Sequence, residues 1–108
     1  MLKFMVVVYR RRDLSREECH RYLRDIHGSL AKKLPGLRKY VQNFVQEDSR
    51  RKPPEWDAVV ELYFDDFATM EVAWASAEGK ASDADLPAFA DLARTSWSIV
   101  EVASTELN

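Results

Sequence analysis

The sequence predicts an α+β fold in which two helices cover one face of a four-stranded antiparallel sheet with strand order 4-1-3-2. Segments with strand and helix periodicity follow one another in the order β-α-β-β-α-β. The first strand is apolar at almost every position, which is typical of a central strand. Two helices can cover only one face of such a sheet, so the apolar side chains of the other face need a further cover.

The first predicted strand covers residues 2–9, a valine-rich and nearly continuous apolar run. Arg10-Arg11-Arg12 follows it and is expected to be a solvated strand end. The six apolar residues from Phe4 to Tyr9 are too few for the hydrophobic region of a signal peptide or for a membrane span. We therefore expect a cytoplasmic protein that is neither secreted nor inserted into a membrane.

A helix is predicted next, from Ser15 to about Leu34. Ser15 and Glu18 have the S-x-x-E spacing of a capping box, and Pro35-Gly36 ends the helical pattern. Apolar residues recur at intervals of three and four, so one face of the helix is predicted to be buried. That face comprises Cys19, Tyr22, Leu23, Ile26, Leu30 and Leu34, with His27 at its border.

Three further strands are recognised by alternating apolar and polar residues. They are predicted at 37–46, 56–64 and 96–103, and a polar loop with Pro53-Pro54 separates the first two of them.

The second helix is predicted to begin at an N-cap in Asp65-Asp66 and to end at Gly79. Its apolar face would comprise Phe67, Met70, Trp74 and Ala77. Short helical segments are predicted over 81–94, restarting near Pro87 and burying Phe89 and Leu92.

The composition indicates one domain over residues 1–108. The single cysteine, Cys19, excludes an internal disulfide, fits a reducing compartment and is expected to be a core residue. The first 54 residues hold 14 of the 16 Lys and Arg residues, but the net charge is −2 and no nucleic-acid-binding motif is present. We therefore expect no nucleic-acid partner.

The face of the sheet that the helices leave uncovered predicts a homodimer. Its valine, isoleucine or aromatic side chains would be costly to expose to water. A second copy that packs sheet against sheet about a twofold axis is the simplest cover.

The chain resembles the EthD family over nearly its whole length. The resemblance rests on Ser15-Arg16-Glu17-Glu18, the run from Arg21 to His27, Leu34-Pro35-Gly36-Leu37, Tyr40-Val41-Gln42-Asn43, and Asp57 with the run from Glu61 to Asp66. It implies a ferredoxin-like domain that pairs into a dimeric α+β barrel, with a pocket between helices and sheet. Members include a protein of ethyl tert-butyl ether degradation, a muconolactone methylisomerase and polyketide-modifying decarboxylases, which generally need no cofactor.

The resemblance identifies His27 as the candidate catalytic residue, because it matches the histidine at the end of the family's first helix. It would act as general base, general acid or hydrogen-bond donor; the alternative is a structural histidine bonded to a backbone carbonyl. Tyr40 is the candidate catalytic partner of His27, as a hydrogen-bond donor. The alternative is a structural tyrosine whose ring is packed and whose hydroxyl is solvated. The residues expected to bind substrate are Tyr22, Leu23, Ile26 and Gln42.

Other polar residues are predicted to carry no chemistry. His20 is expected to be exposed, and it lies ~10 Å along the helix from His27, so the two cannot share a metal directly. The sequence lacks metal-ligand clusters and phosphate-binding glycines, so no metal, flavin, haem or nicotinamide is expected. Glu61 either meets a basic group across the dimer or lines the pocket.

Three functions remain open from sequence alone. The first is a cofactor-free enzyme, an oxidoreductase, isomerase or decarboxylase, that acts on a small aromatic, lactone or polyketide-like substrate. The second is a non-catalytic small-molecule-binding accessory protein of an oxidoreductase pathway. The third is a dimeric domain without a ligand.

Overall fold

The predicted antiparallel sheet and its strand order are confirmed. In the computed structural model, which describes residues 1–107, the four strands lie in the order β2-β3-β1-β4. The strands are β1 (Leu2–Val8), β2 (Lys39–Phe44), β3 (Ala58–Phe64) and β4 (Ser96–Glu101). All neighbouring strands are antiparallel, and β1 pairs with both β3 and β4.

The sheet has one covered and one uncovered face because side chains alternate along each strand. On β1, Val6 and Val8 are buried beneath the helices, whereas Met5 and Val7 are half-buried on the opposite face. The main core therefore lies between the sheet and the helices.

The first helical region is less regular than the single helix that the sequence predicts. It comprises α1 (Arg16–Tyr22), a π-helical turn (Leu23–His27) and α2 (Gly28–Ala31). The capping box is present: the Ser15 hydroxyl accepts a hydrogen bond from the Glu18 backbone N–H at 3.1 Å, and the Glu18 carboxylate accepts one from the Ser15 N–H at 2.9 Å.

The π-helical turn changes which residues are buried. A π-helical turn accommodates one more residue than an α-helical turn, so the buried stripe moves on by one position. Leu23, His27 and Ala31 are buried at intervals of four. Ile26, predicted to be buried, is instead 48% exposed. The prediction for Ile26 was wrong because it assumed an uninterrupted α-helical period.

The second helical region is also divided, into α3 (Phe67–Ala75) and α4 (Ala77–Asp85). Ser76 has an extended backbone, ends α3, and caps α4 by accepting a hydrogen bond from the Gly79 N–H at 3.0 Å. The prediction that Gly79 ends the helix was therefore wrong. A Cβ atom on Gly79 would collide with backbone atoms of α3, so glycine permits the close approach of the two helices.

The segment after α4 contains a 3₁₀ turn over Leu86–Ala88. Phe89 is buried as predicted, whereas Leu92 is 44% exposed. Leu92 lies in a turn in which the Arg94 N–H bonds to the Asp91 carbonyl, so helical spacing does not describe this part of the chain.

The end of β1, α1 and the residue before β3 meet in a partly buried group, the Asp57 cluster, defined by Arg10, Arg16, His20 and Asp57. The buried Asp57 carboxylate accepts hydrogen bonds from the Arg10 backbone N–H (2.8 Å), the Arg10 guanidinium (2.7 Å) and the Arg16 guanidinium (2.8 Å). His20 is only 9% exposed, and its Nε2 lies 2.8 Å from the Asp57 carbonyl oxygen. The prediction that His20 is exposed was wrong, because its ring bonds to the Asp57 backbone. The Arg10 side chain is 38% exposed but also pairs with the Asp57 carboxylate.

The uncovered face of the sheet combines apolar side chains with one polar network. Glu61 accepts hydrogen bonds from Lys3 (2.7 Å), Asn43 (2.6 Å) and Tyr63 (2.9 Å). Its basic neighbour is therefore in the same chain, and its side chain lies on the opposite side of the sheet from the helices. No helix within residues 1–107 is long and apolar enough to cross a bilayer.

Candidate functional site

A cavity of about 430 Å³ lies between the helices and the covered face of the sheet. Most of its wall is aliphatic or aromatic, with contributions from the π-helical turn, from α2, α3 and α4, and from all four strands. The apolar part of the wall includes Phe4, Val6, Leu23, Val60, Leu62, Trp74, Leu86, Phe89 and Trp97, and the ionisable part comprises His27, Tyr40, Lys80 and Asp83. A cavity of this size and character suits a small organic ligand.

His27 enters this cavity because the π-helical turn carries it onto the buried side of the helix. The ring is 6% exposed and packs against Phe89, with ring centroids 4.7 Å apart. Its Nδ1 lies 3.0 Å from Oδ2 of Asp85, the last residue of α4. The Tyr22 hydroxyl donates to the other carboxylate oxygen of Asp85 at 2.7 Å.

These contacts define the protonation of the imidazole. A carboxylate accepts hydrogen bonds, so Nδ1 carries the hydrogen and Nε2 presents its lone pair. Burial lowers the pKa of His27, and the neighbouring Asp85 opposes this shift only in part. The neutral ring, which can accept a proton at Nε2, is therefore favoured near neutral pH.

Tyr40 approaches the cavity from the sheet, on the covered face of β2. Burial raises the pKa of its phenol, so the hydroxyl stays protonated near neutral pH. The Gln42 amide nitrogen lies 3.0 Å from the Tyr40 hydroxyl oxygen and 2.8 Å from the Leu23 carbonyl oxygen. Gln42 therefore connects the sheet with the π-helical turn that positions His27.

The structure divides the six predicted site residues into two groups. His27, Tyr40 and Leu23 line the cavity together. Tyr22 and Gln42 lie behind the wall, where they contact Asp85 and Tyr40, and Ile26 is largely exposed to solvent. The last three residues are therefore outside the wall of the cavity that His27 faces.

Asp85 is a polar neighbour of His27 that the sequence alone does not indicate. It lies 58 positions away along the chain, and no spacing rule connects two residues on different helices. The only local signal was its place before Leu86-Pro87, which indicated a helix boundary and no chemistry.

Cys19 lies in the core rather than in the cavity wall. Burial raises the pKa of its thiol to about 11, which keeps it in the weakly nucleophilic thiol form. Within residues 1–107 no group of three or more His, Cys, Asp or Glu side chains is arranged to hold a metal ion.

A second depression, of about 470 Å³, lies beside the Asp57 cluster and is rich in arginine. Its four arginines, Arg10, Arg12, Arg16 and Arg94, all have carboxylate partners within 3.4 Å. These ion pairs satisfy the guanidinium groups, so the depression has the character of a structural network.

The fold is shared with solved structures. An EthD family protein from Bacillus halodurans superposes with a TM-score of 0.79 at 23% identity, covering 95% of this chain and 100% of that protein. SnoaB, a cofactor-independent oxygenase from Streptomyces nogalater, has a TM-score of 0.66 at 10% identity, covering 96% and 94%. A dimeric ferredoxin-like protein from Jannaschia has a TM-score of 0.68 at 17% identity, covering 94% and 98%.

At these identities the structural similarity establishes the ferredoxin-like fold alone. No curated protein is similar enough in sequence to count as a relative. The EthD domain profile, however, matches residues 11–93, a span that includes His27, Tyr40 and Asp85. Since this match covers most of the 108 residues, the chain belongs to the EthD family.

Proposed function

We propose that this protein is a small cofactor-independent enzyme that acts on a hydrophobic organic molecule, of aromatic, lactone or polyketide-like structure. Its place would be in oxidative degradation or polyketide-type metabolism. One observation carries the proposal: Asp85 engages Nδ1 of His27, which leaves Nε2 as the free nitrogen of a histidine that lines a largely apolar cavity. This arrangement suits a general base held among apolar groups.

In this proposal His27 removes a proton from a C–H or O–H group of the bound substrate. Asp85 stabilises the imidazolium that forms, and the Tyr22 hydroxyl holds Asp85 in place. Tyr40 donates a hydrogen bond to the oxygen on which negative charge develops. Proton removal of this kind begins many isomerisations and oxidations, and the protonated histidine can return a proton after a decarboxylation.

The cofactor-independent oxygenase SnoaB supports the proposal by analogy, since it has the same fold. SnoaB is an example of a protein of this fold that works without a cofactor. The choice among oxidation, isomerisation and decarboxylation depends on the substrate.

We also propose that the protein is a homodimer that closes a dimeric α+β barrel. The half-buried side chains of Met5, Val7, Val41 and Val59 lie on the uncovered face of the sheet. Structurally similar proteins from Bacteroides fragilis, Thermobifida fusca and Jannaschia are dimeric. Sedimentation at micromolar concentration should give twice the mass of 12.5 kDa, and a stable monomer would contradict the proposal.

The enzymatic proposal is tested by incubating the purified protein with a panel of hydroxylated aromatics and lactones, with products followed by mass spectrometry. The substitution His27→Gln should lower turnover by ~10²–10⁴, the usual contribution of a positioned acid or base. His20→Gln is the matched control, because it alters a second buried histidine outside the cavity and should retain turnover.

The same panel distinguishes an enzyme from a binding protein. Trp74 and Trp97 line the cavity, so ligand binding should change their fluorescence. Binding without turnover in the unaltered protein would favour the accessory small-molecule-binding protein over the enzyme. Equal turnover by the His27→Gln and unaltered proteins would exclude His27 as the base.

A further inference from the structure

We propose that Gln42 is a positioning residue that fixes the direction of the hydrogen bond at Tyr40, so that the Tyr40 hydroxyl donates into the cavity. The role of that donor in catalysis rests on the proposed function, whereas the direction of the hydrogen bond does not. Gln42 itself is absent from the cavity wall and would act only through Tyr40.

The orientation of the Gln42 amide follows from its neighbours. The Leu23 carbonyl oxygen can only accept a hydrogen bond, so the group that faces it at 2.8 Å must be the amide nitrogen. The same nitrogen lies 3.0 Å from the Tyr40 hydroxyl oxygen. An amide nitrogen has two hydrogens, which are directed to these two oxygens. Tyr40 is therefore the acceptor of the bond from Gln42.

The π-helical turn and Gly28 create the space for this amide. The Leu23 carbonyl oxygen accepts a hydrogen bond from the backbone N–H of Gly28, five residues further along the chain. It accepts a second hydrogen bond from the Gln42 side-chain amide. A Cβ atom on residue 28 would lie 3.1 Å from the Gln42 amide nitrogen and 3.2 Å from the Leu23 carbonyl oxygen. Glycine thus allows the helix and the amide to approach closely.

The hydroxyl hydrogen of Tyr40 has no acceptor among residues 1–107. Two other tyrosines behave differently, since Tyr22 donates to Asp85 at 2.7 Å and Tyr63 donates to Glu61 at 2.9 Å. Tyr40 receives a hydrogen bond and lines the cavity, so its own hydrogen remains available to a ligand.

The direction of the Gln42–Tyr40 hydrogen bond specifies which chemical groups a ligand needs. Tyr40 offers a donor, which requires an acceptor such as a carbonyl or phenolate oxygen. Nε2 of His27 offers an acceptor, which requires an acidic C–H or O–H. The site should therefore select a hydrophobic molecule that carries both groups, and it should disfavour hydrocarbons and ethers that lack the acidic hydrogen.

The sign of a pKa change tests the direction of the bond. A hydrogen bond donated by Gln42 lowers the pKa of Tyr40, in opposition to burial, so the substitution Gln42→Met should raise this pKa. We would titrate the protein labelled with 3-fluorotyrosine by ¹⁹F NMR and assign the resonance of residue 40 with Tyr40→Phe. Gln46→Met, which changes an exposed amide, should leave the titration unchanged. A fall, or no change, with Gln42→Met would overturn the proposal.

A measurement on the unaltered protein covers the case in which Gln42→Met fails to fold. Both side-chain amide hydrogens of Gln42 should exchange slowly with solvent, because one is bonded to the Leu23 carbonyl and the other to the Tyr40 hydroxyl. Exchange of either hydrogen as fast as in the exposed Gln46 amide would overturn the proposal. Neither experiment measures activity, so failure here is distinguishable from failure of the proposed enzyme.

Discussion

Two buried histidines seven residues apart, His20 and His27, have opposite surroundings. His20 bonds to the backbone carbonyl of Asp57 and packs against Phe44, with ring centroids 4.9 Å apart. His27 bonds to a side-chain carboxylate and faces a cavity. Burial is common to both histidines and does not distinguish them. A free ring nitrogen at a cavity and a carboxylate on the other nitrogen are the distinguishing features.

The carboxylates of Asp57 and Asp85 also have different surroundings. Burial would raise the pKa of Asp57, but hydrogen bonds from Arg16 and Arg10 outweigh it and hold this pKa below its usual value. Asp57 is enclosed by structural partners on every side, whereas Asp85 has two neighbours, Tyr22 and His27, at the border of the cavity. We therefore expect Asp57 to contribute mainly to stability and Asp85 mainly to activity.

The largest expected effect is on stability at the Asp57 cluster. The substitution Asp57→Ala leaves Arg10 and Arg16 without their carboxylate and should cost about 3–5 kcal/mol in the free energy of unfolding. Asp85→Asn should cost no more than about 1 kcal/mol, because the amide oxygen can still accept from His27 while the amide nitrogen donates to the Tyr22 hydroxyl. Urea unfolding followed by circular dichroism measures both, and equal losses would contradict the division of roles.

The next largest effect is on stability, and it depends on which residues of the first helical region are buried. Leu23 is fully buried, so Leu23→Ala should cost about 2–5 kcal/mol. Ile26→Ala removes a comparable side chain from a 48% exposed position and should change stability by less than about 1 kcal/mol. A large loss with Ile26→Ala would indicate that Ile26 is buried, as a regular α-helix predicts, and would contradict the π-helical turn.

A third effect concerns turnover and its pH dependence. Asp85→Asn should reduce turnover by about 10²-fold, the lower range for a positioned base. The Asp85 carboxylate raises the pKa of His27, so the variant should also move the acidic limb of the pH–rate profile to lower pH. Tyr22→Phe keeps the carboxylate and should cause a smaller loss. An unchanged profile in Asp85→Asn would show that Asp85 does not influence the base.

The smallest expected effect is the contribution of His27 to the pH dependence of stability. Burial depresses the folded-state pKa of His27 below its usual value of 6.5, so the unfolded chain binds this proton more readily. The resulting stabilisation is present above pH 6.5 and is lost as the pH falls through the folded-state pKa. His27→Gln should remove this part of the acid destabilisation in unfolding experiments at graded pH.

Local patterns in the sequence were sufficient for the strand order and the first helix cap. The apolar run at 2–9 and the Ser15–Glu18 spacing act through neighbouring residues, so they can be recognised without tertiary information. The π-helical turn was not predicted, because the local apolar spacing fits an uninterrupted α-helix and the contact of Leu23 with Gln42 joins residues on distant elements. The same limit explains why the burial of His20 by Asp57 and the pairing of His27 with Asp85 were missed.

The proposed general base requires His27 to present an unprotonated Nε2 to the cavity. The chain has two histidines, so long-range ¹H–¹⁵N correlation spectra at neutral pH can report both tautomers directly. We expect a neutral His27 with its hydrogen on Nδ1, while Nε2 of His20 carries the hydrogen that it donates to the Asp57 carbonyl. A His27 ring protonated at Nε2, as either the other tautomer or the imidazolium, would exclude His27 as the base.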